Sequence, residues 1–154
     1  MRSNIFQPRL SGQSLPAKPF LISAAIWFAA SAPAAHAATI TLAAYLSGAS
    51  AVPPSQSAAF GEADFTYDSE TRELDYLVTY EGMPSAQVEI HGPADAAQNA
   101  PTLIPFPSPQ SPLSGILVLN SRQAELLLAG KLYVEVHARS FAGGAIRGQI
   151  EKRQ

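Results

Sequence analysis

Two Glu-x-His tripeptides carry the side chains of this sequence that are best suited to chemistry. They read Glu89-Ile-His91 and Glu135-Val-His137, and they contain both histidines that follow residue 37. Residues i and i+2 of a β-strand point to one side, so each tripeptide would place its Glu and His on one face. If the two strands are neighbours, two imidazoles and two carboxylates converge. That set suits Zn²⁺, Cu²⁺, Fe²⁺ or Mn²⁺.

The same residues also have a simpler interpretation. The outer face of a half-buried antiparallel sheet is polar, and cross-strand pairs there contribute only about 0.2–1 kcal/mol. If the two histidines bind one ion, their imidazole nitrogens should lie about 3–4 Å apart. Histidines more than about 8 Å apart could not share an ion. Arg147 can join this face, and without a metal we expect it to bond Glu89.

Other catalytic arrangements have little support. The chain has no cysteine, which excludes a thiolate nucleophile and a disulfide framework. It has no Gly-x-Ser-x-Gly elbow and no phosphate-binding loop. Ser114 or Ser140 beside a histidine has no local motif around it. We therefore predict a protein that is not an enzyme.

The first 37 residues have the composition of a secretory signal peptide. Arg2, Arg9 and Lys18 precede the apolar run 20–30, and an Ala-x-Ala exit ends at Ala37. This order is typical of a cleaved leader, and the run is too short to cross a bilayer, which needs about 20 apolar residues. We predict cleavage after Ala37 or, alternatively, after Ala38. The cleaved product is expected to be exported to the periplasm or the extracellular space and to be released from the membrane.

The remaining part, residues 38–154, is predicted to be one acidic domain. It holds all 12 acidic residues and seven of the 10 basic ones, a formal charge of −5. Without a basic run, it is a poor candidate for binding nucleic acid or anionic membranes.

Alternating apolar residues predict an all-β domain, an antiparallel β-sandwich or Greek-key barrel with one short helix. The clearest element is a hairpin, Ala58–Tyr67 and Leu74–Tyr80, around a polar turn. A helix is expected over Ser121–Ala129 with a serine cap. The last two strands are expected over Leu132–Ala138 and Ala145–Ile150, joined by a turn that contains Gly143 and Gly144. The predicted core comprises Phe65, Tyr67, Leu74, Tyr76, Val78, Val88, Ile90, Ile116, Val118, Leu132, Val134, Val136, Ile146 and Ile150.

Residues 92–112 contain six prolines and are predicted to form a long loop without strands. Loops of this length are usually functional or disordered. Because Leu103, Ile104 and Phe106 are large and apolar, we expect the loop to cover one end of the domain rather than to form an exposed contact patch.

Four segments resemble the CHRD (chordin-type) domain family in order and spacing over residues 40–150. They are Leu46-Ser-Gly-Ala-Ser-Ala-Val-Pro-Pro54, Glu89-Ile-His-Gly-Pro-Ala94, Gly130-Lys-Leu-Tyr-Val-Glu-Val-His137 and Gly143-Gly-Ala-Ile-Arg-Gly-Gln-Ile150. The resemblance implies an antiparallel sandwich. The chain departs from the family pattern at Glu89, where the family usually has histidine, and at Ala51, where it usually has an acid.

A weaker similarity is to the copper/zinc superoxide dismutases. By position it implies that His91 and His137 match copper ligands, that Glu89 replaces a third, and that Arg147 matches the arginine beside the metal. Residues 92–112 hold no counterpart of the zinc-loop histidines, and the disulfide cysteines are missing. Dismutase activity is therefore not expected.

Two functions follow from these observations. The first is an exported, non-enzymatic CHRD-like module that binds another protein or itself through a sheet face or the Pro-rich loop. The alternative is a mononuclear site for copper or zinc, with Glu89, His91, Glu135 and His137 as ligands and Arg147 beside them.

Overall fold

The computed structural model describes residues 38–84 and 87–153, so the predicted signal peptide lies outside the described residues. Within them the chain forms nine strands and one α-helix. The elements are β1 (Thr39–Ser47), β2 (Phe60–Asp68), β3 (Glu73–Glu81), β4 (Gln87–His91), β5 (Thr102–Pro105), β6 (Leu113–Val118), α1 (Ser121–Leu128), β7 (Tyr133–Ala138), β8 (Phe141–Gln149) and β9 (Glu151–Lys152).

The strands form one curled antiparallel sheet, which confirms the prediction of an all-β fold with one short helix. The strand order is β5-β4-β7-β8-β1-β2-β3-β6, and β9 pairs with β1. Strands β5 and β6 are therefore the two edges. The predicted hairpin is β2–β3, with Phe65 opposite Tyr76.

The core lies on the inner face of the curled sheet, where the apolar residues of each strand alternate with exposed ones. Strand β3 shows this most regularly, with Leu74, Tyr76 and Val78 buried between exposed neighbours. All predicted core residues are buried except Ile116 and Val118, which are 58% and 70% exposed. The prediction was wrong there because the run Ile116–Val118 is apolar at every position and gives no alternation to read.

Helix α1 confirms the predicted helix but not its cap. Asn120 is the N-cap. Its side chain accepts from the backbone N–H of Gln123, and the Gln123 side chain accepts from the Asn120 N–H, both at 2.9 Å. This reciprocal pair is a capping box, which satisfies two backbone donors at the start of the helix. No helix among the described residues is long and apolar enough to span a membrane.

The Pro-rich segment contains strand β5, so the prediction of a loop without strands was wrong. Residues 102–105 pair with β4 between flanking prolines, which are tolerated because β5 is an edge strand. Phe106 is buried, and Leu103 and Ile104 pack against the core. The segment therefore covers part of the core, as expected.

Candidate metal centre

The register of β4 and β7 brings the two Glu-x-His tripeptides together. The strands pair antiparallel with Glu89 directly opposite Glu135. The residue between Glu and His in each tripeptide, Ile90 or Val136, is fully buried in the core. The glutamates and histidines therefore share the other face of the sheet, as the two-residue period predicts.

Four donor atoms converge at this point. The Oε2 atom of Glu89 lies 3.2 Å from His91 Nε2 and 3.4 Å from His137 Nε2. The Oε2 atom of Glu135 lies 3.8 and 3.7 Å from the same two nitrogens. Donor atoms of Glu89, His91 and His137 all lie within 4.8 Å of one another. The histidines are thus well inside the 8 Å limit for sharing one ion.

Backbone carbonyls orient both imidazole rings. His91 Nδ1 lies 3.0 Å from the carbonyl oxygen of Ala100, and His137 Nδ1 lies 3.3 Å from that of Ala142. Because a carbonyl only accepts, each Nδ1 is a donor, and in a neutral ring that arrangement leaves the lone pair on Nε2. Both Nε2 atoms are buried and have no hydrogen-bond partner. This is the tautomer and orientation of a metal-bound histidine.

The four side chains are covered rather than solvated. Their exposed fractions are 13% for Glu89, 8% for His91, 5% for Glu135 and 17% for His137. A solvated polar face is therefore the wrong description of these residues.

Burial also leaves the charge of the site unbalanced. Two carboxylates stand opposite each other, an arrangement that destabilises a sheet when both are charged. Desolvation raises the pKa of the Glu135 carboxyl, and Glu89 adds to that rise, while the two imidazoles and the Arg147 guanidinium act in the opposite direction. A cation between the carboxylates would remove this repulsion.

Arg147 does not bond Glu89, contrary to the prediction. Its guanidinium lies 3.5 Å from the centre of the Tyr133 ring and donates to the Asn99 side chain and the Asp95 carbonyl, both at 3.1 Å. Residues 95–99 lie against β8 and supply these neutral acceptors. Glu89 instead accepts a hydrogen bond from Thr102 Oγ1 at 3.1 Å.

Tyr133 is a site residue that was not identified from the sequence. Its ring stacks on His91, with centroids 5.1 Å apart and planes 12° apart. Its hydroxyl accepts from the Ala100 N–H and donates to the Ala100 carbonyl, at 3.0 and 3.2 Å. Tyr133 therefore fixes both the ring and the carbonyl that orients it. The sequence did offer one indication: Tyr133 precedes Glu135 by two residues, so the two side chains lie on the same face of the strand.

Gly144 was likewise missed as a site residue. The sequence placed it in a turn before a strand at Ala145, whereas β8 begins at Phe141 and includes it. A Cβ at Gly144 would lie 2.1 Å from Glu135 Oε1 and 2.6 Å from its Cδ. The backbone also has a φ of +105° there. The absent side chain leaves the space that the Glu135 carboxylate occupies.

The donor set fits one borderline divalent ion. Ligands about 2.0–2.2 Å from an ion lie about 3–3.6 Å apart at angles of 90–110°, and the Glu89 distances fall in this range. The Glu135 distances are slightly longer. Two imidazoles and two carboxylates suit zinc and copper(II).

Comparison with known proteins agrees with this architecture. A family model described as the CHRD domain matches residues 42–150, which include all four candidate ligands. No curated protein and no solved structure matches the chain.

Proposed function

Because this chain belongs to the CHRD-domain family, which occurs in extracellular or exported proteins, we propose that it is an exported, non-enzymatic binding module with a mononuclear metal site. The ion is zinc or copper(II), and its ligands are Glu89, His91, Glu135 and His137. The observation that carries the proposal is the pair of buried imidazole Nε2 atoms that have no hydrogen-bond partner among the described residues and that both face the two carboxylates. A bound divalent ion supplies the positive charge that these groups lack.

The orienting contacts support this assignment. A metal-binding histidine usually donates its other ring N–H to a carbonyl or carboxylate, which fixes the tautomer. Both candidate histidines do so through Ala100 and Ala142. Thr102 holds Glu89 and Tyr133 stacks on His91. These contacts fix the orientation of the ligand side chains, which suits a preformed site.

The number of donors favours binding without catalysis. Catalytic zinc sites keep a coordination position open for water or substrate, whereas structural sites are closed by four protein ligands. Here Glu89, His91 and His137 supply three donor atoms within 4.8 Å of one another. Glu135 supplies the fourth, 3.8 and 3.7 Å from the two imidazole nitrogens, and all four side chains are largely buried. Such a site holds the ion as a structural element of the domain.

Export is supported by the leader pattern of residues 1–37. Mass spectrometry of protein released from the producing cells should give an N-terminus at Ala38 or Thr39. Released protein that still begins at Met1 would contradict the proposed processing.

A zinc titration tests the proposed site. Protein stripped with a chelator should bind one equivalent of zinc in isothermal titration calorimetry, and His91→Gln or Glu89→Gln should weaken binding by at least tenfold. The matched control is Glu70→Gln, because Glu70 is an exposed turn carboxylate far along the chain from the site. Copper(II) should give the same stoichiometry and the same order of variants. Zinc binding that His91→Gln and Glu70→Gln affect equally would refute the assignment.

A further inference from the structure

Strand β6 is an unprotected edge of the sheet. Among the residues that the structure describes it pairs only with β3, and it contains neither a charged residue nor a proline. The opposite edge, β5, has prolines at and beside its ends. Edges that must stay free usually carry charges, prolines or bulges. Both edges have a proline directly before them, but β5 also contains Pro105 whereas β6 contains none, which leaves the backbone of β6 able to accept another strand.

The outer face of β6 carries exposed apolar side chains. Ile116 and Val118 both point outward, and Leu77 of β3 lies diagonally beside Ile116 on the same face. The three together form an apolar strip along the edge.

Acidic residues line the inner side of this strip. Asp75 is the cross-strand partner of Ile116, and Glu73 is that of Val118. Both are exposed, and in the part of the chain that the structure describes neither has an ion-pair partner. The nearby base Arg153 is already bound to Glu62 and Asp64. Among the described residues, no ion pair therefore neutralises the two carboxylates beside β6, and Arg72 is the base next to Glu73 in the chain.

A groove of about 540 Å³ adjoins the same strand. It is lined by β6, by Tyr76 and by the Pro-rich segment 107–112. Gly115 keeps it open at its base, because a Cβ there would lie 2.7 Å from the Tyr76 hydroxyl. A strand added beside β6 would point alternate side chains toward the apolar strip and toward this groove.

We propose that β6 binds an extended segment of a partner protein in which basic and apolar residues alternate, and that this segment adds a tenth strand to the sheet. Backbone hydrogen bonds to β6 would supply the pairing, as in other strand-addition complexes. The aliphatic stems of lysine or arginine pack on Ile116 and Val118, and their charged ends reach toward Asp75 and Glu73, about two strand spacings or 10 Å away. Small apolar side chains enter the groove.

Charge favours this occupant over a second copy of the chain. Two copies paired through β6 would place two sets of unpaired acids on one continuous face, and each domain already carries a formal charge of −5 after residue 37. A basic segment removes that repulsion and adds opposite charge.

A capped octapeptide that alternates lysine and valine is the probe. Its addition to the purified protein should slow hydrogen exchange of the β6 backbone amides, and NMR shift changes should centre on β6 and the groove. An octapeptide of glutamate and valine should have no effect. Equal protection by both peptides, or no protection of β6 by either, would overturn the proposal. So would concentration-dependent dimers that protect β6 without peptide.

Two variants test the contacts. Glu73→Gln combined with Asp75→Asn should weaken the lysine peptide about threefold to tenfold, the effect of losing two exposed ion pairs. The control is Glu151→Gln combined with Asp95→Asn, which removes the same charge from exposed residues on β9, beside β1, and in the loop beside Lys131. Ile116→Lys should abolish binding while the far-ultraviolet dichroism is unchanged, since Ile116 is exposed. If the two double variants bind equally, the contacts assigned to Glu73 and Asp75 are wrong.

Discussion

Substitution of Gly144 by alanine should damage both the stability of the protein and its metal site. A φ of +105° strains any residue with a Cβ, at about 1–3 kcal/mol. The new methyl group would also lie 2.1 Å from Glu135 Oε1, and such overpacking costs about 1–3 kcal/mol. The two effects together predict a loss of about 2–6 kcal/mol in the free energy of unfolding.

The carboxylate can relieve the clash only by moving, which takes it away from the two imidazole nitrogens 3.7 and 3.8 Å distant. Zinc affinity should therefore fall about 10- to 100-fold. Urea denaturation of the metal-free protein and zinc calorimetry measure the two effects separately.

Gly143→Ala is the matched control for this substitution. A Cβ at Gly143 meets no atom within 4 Å, so stability should change by no more than about 0.5 kcal/mol and zinc affinity should not change. If Gly144→Ala behaves like Gly143→Ala in both measurements, the space at Gly144 does not hold Glu135 in place, and the reasoning is refuted.

Three further predictions concern the domain as a whole. Zinc at about 100 times its dissociation constant should stabilise the protein by about 2.7 kcal/mol, which raises Tm by about 10 °C for a domain of this size. A chelator should reverse this rise in Tm. An unchanged Tm would contradict a zinc site in the folded state. Val136→Asp should unfold the domain, because an unpaired buried charge costs several kcal/mol, whereas Val118→Asp at the exposed edge should keep the native dichroism spectrum. Hydrogen bonds from the backbone N–H groups of Thr71 and Glu70 lower the pKa of Asp68, so the Asp68 carboxylate stabilises the fold above its ordinary pKa and loses this effect as the pH falls through its lowered pKa. Asp68→Ala should therefore reduce the difference between the urea midpoints measured at about pH 7 and about pH 2. An unchanged difference would contradict this prediction.

Local alternation was sufficient to predict most of the fold. In β3, β4 and β7 an apolar core residue recurs at every second position. The period therefore identified the core and placed Glu89 with His91 and Glu135 with His137. The edge strand β6 was misjudged because Ile116, Leu117 and Val118 are all apolar, and only the pairing with β3 determines which of them face inward.

The surroundings of the site depend on contacts that no local pattern encodes. Arg147 was expected to bond Glu89, but a segment about 50 residues earlier in the chain supplies Asn99 and the Asp95 carbonyl instead. Ala100 orients His91 through its backbone carbonyl. Because backbone groups are the same at every position, the residue type at position 100 does not indicate this contact. Gly144 looked like a turn residue because glycine pairs are common in turns, whereas its role is to leave room for Glu135.

Anomalous diffraction from crystals grown with zinc tests the central claim most directly. Data collected above and below the zinc absorption edge should show one strong peak bounded by Glu89, His91, Glu135 and His137, about 2.0–2.2 Å from both imidazole Nε2 atoms. The two Nδ1 atoms should still face the carbonyls of Ala100 and Ala142. A zinc peak elsewhere on the protein, with none at these residues, would contradict the proposed site.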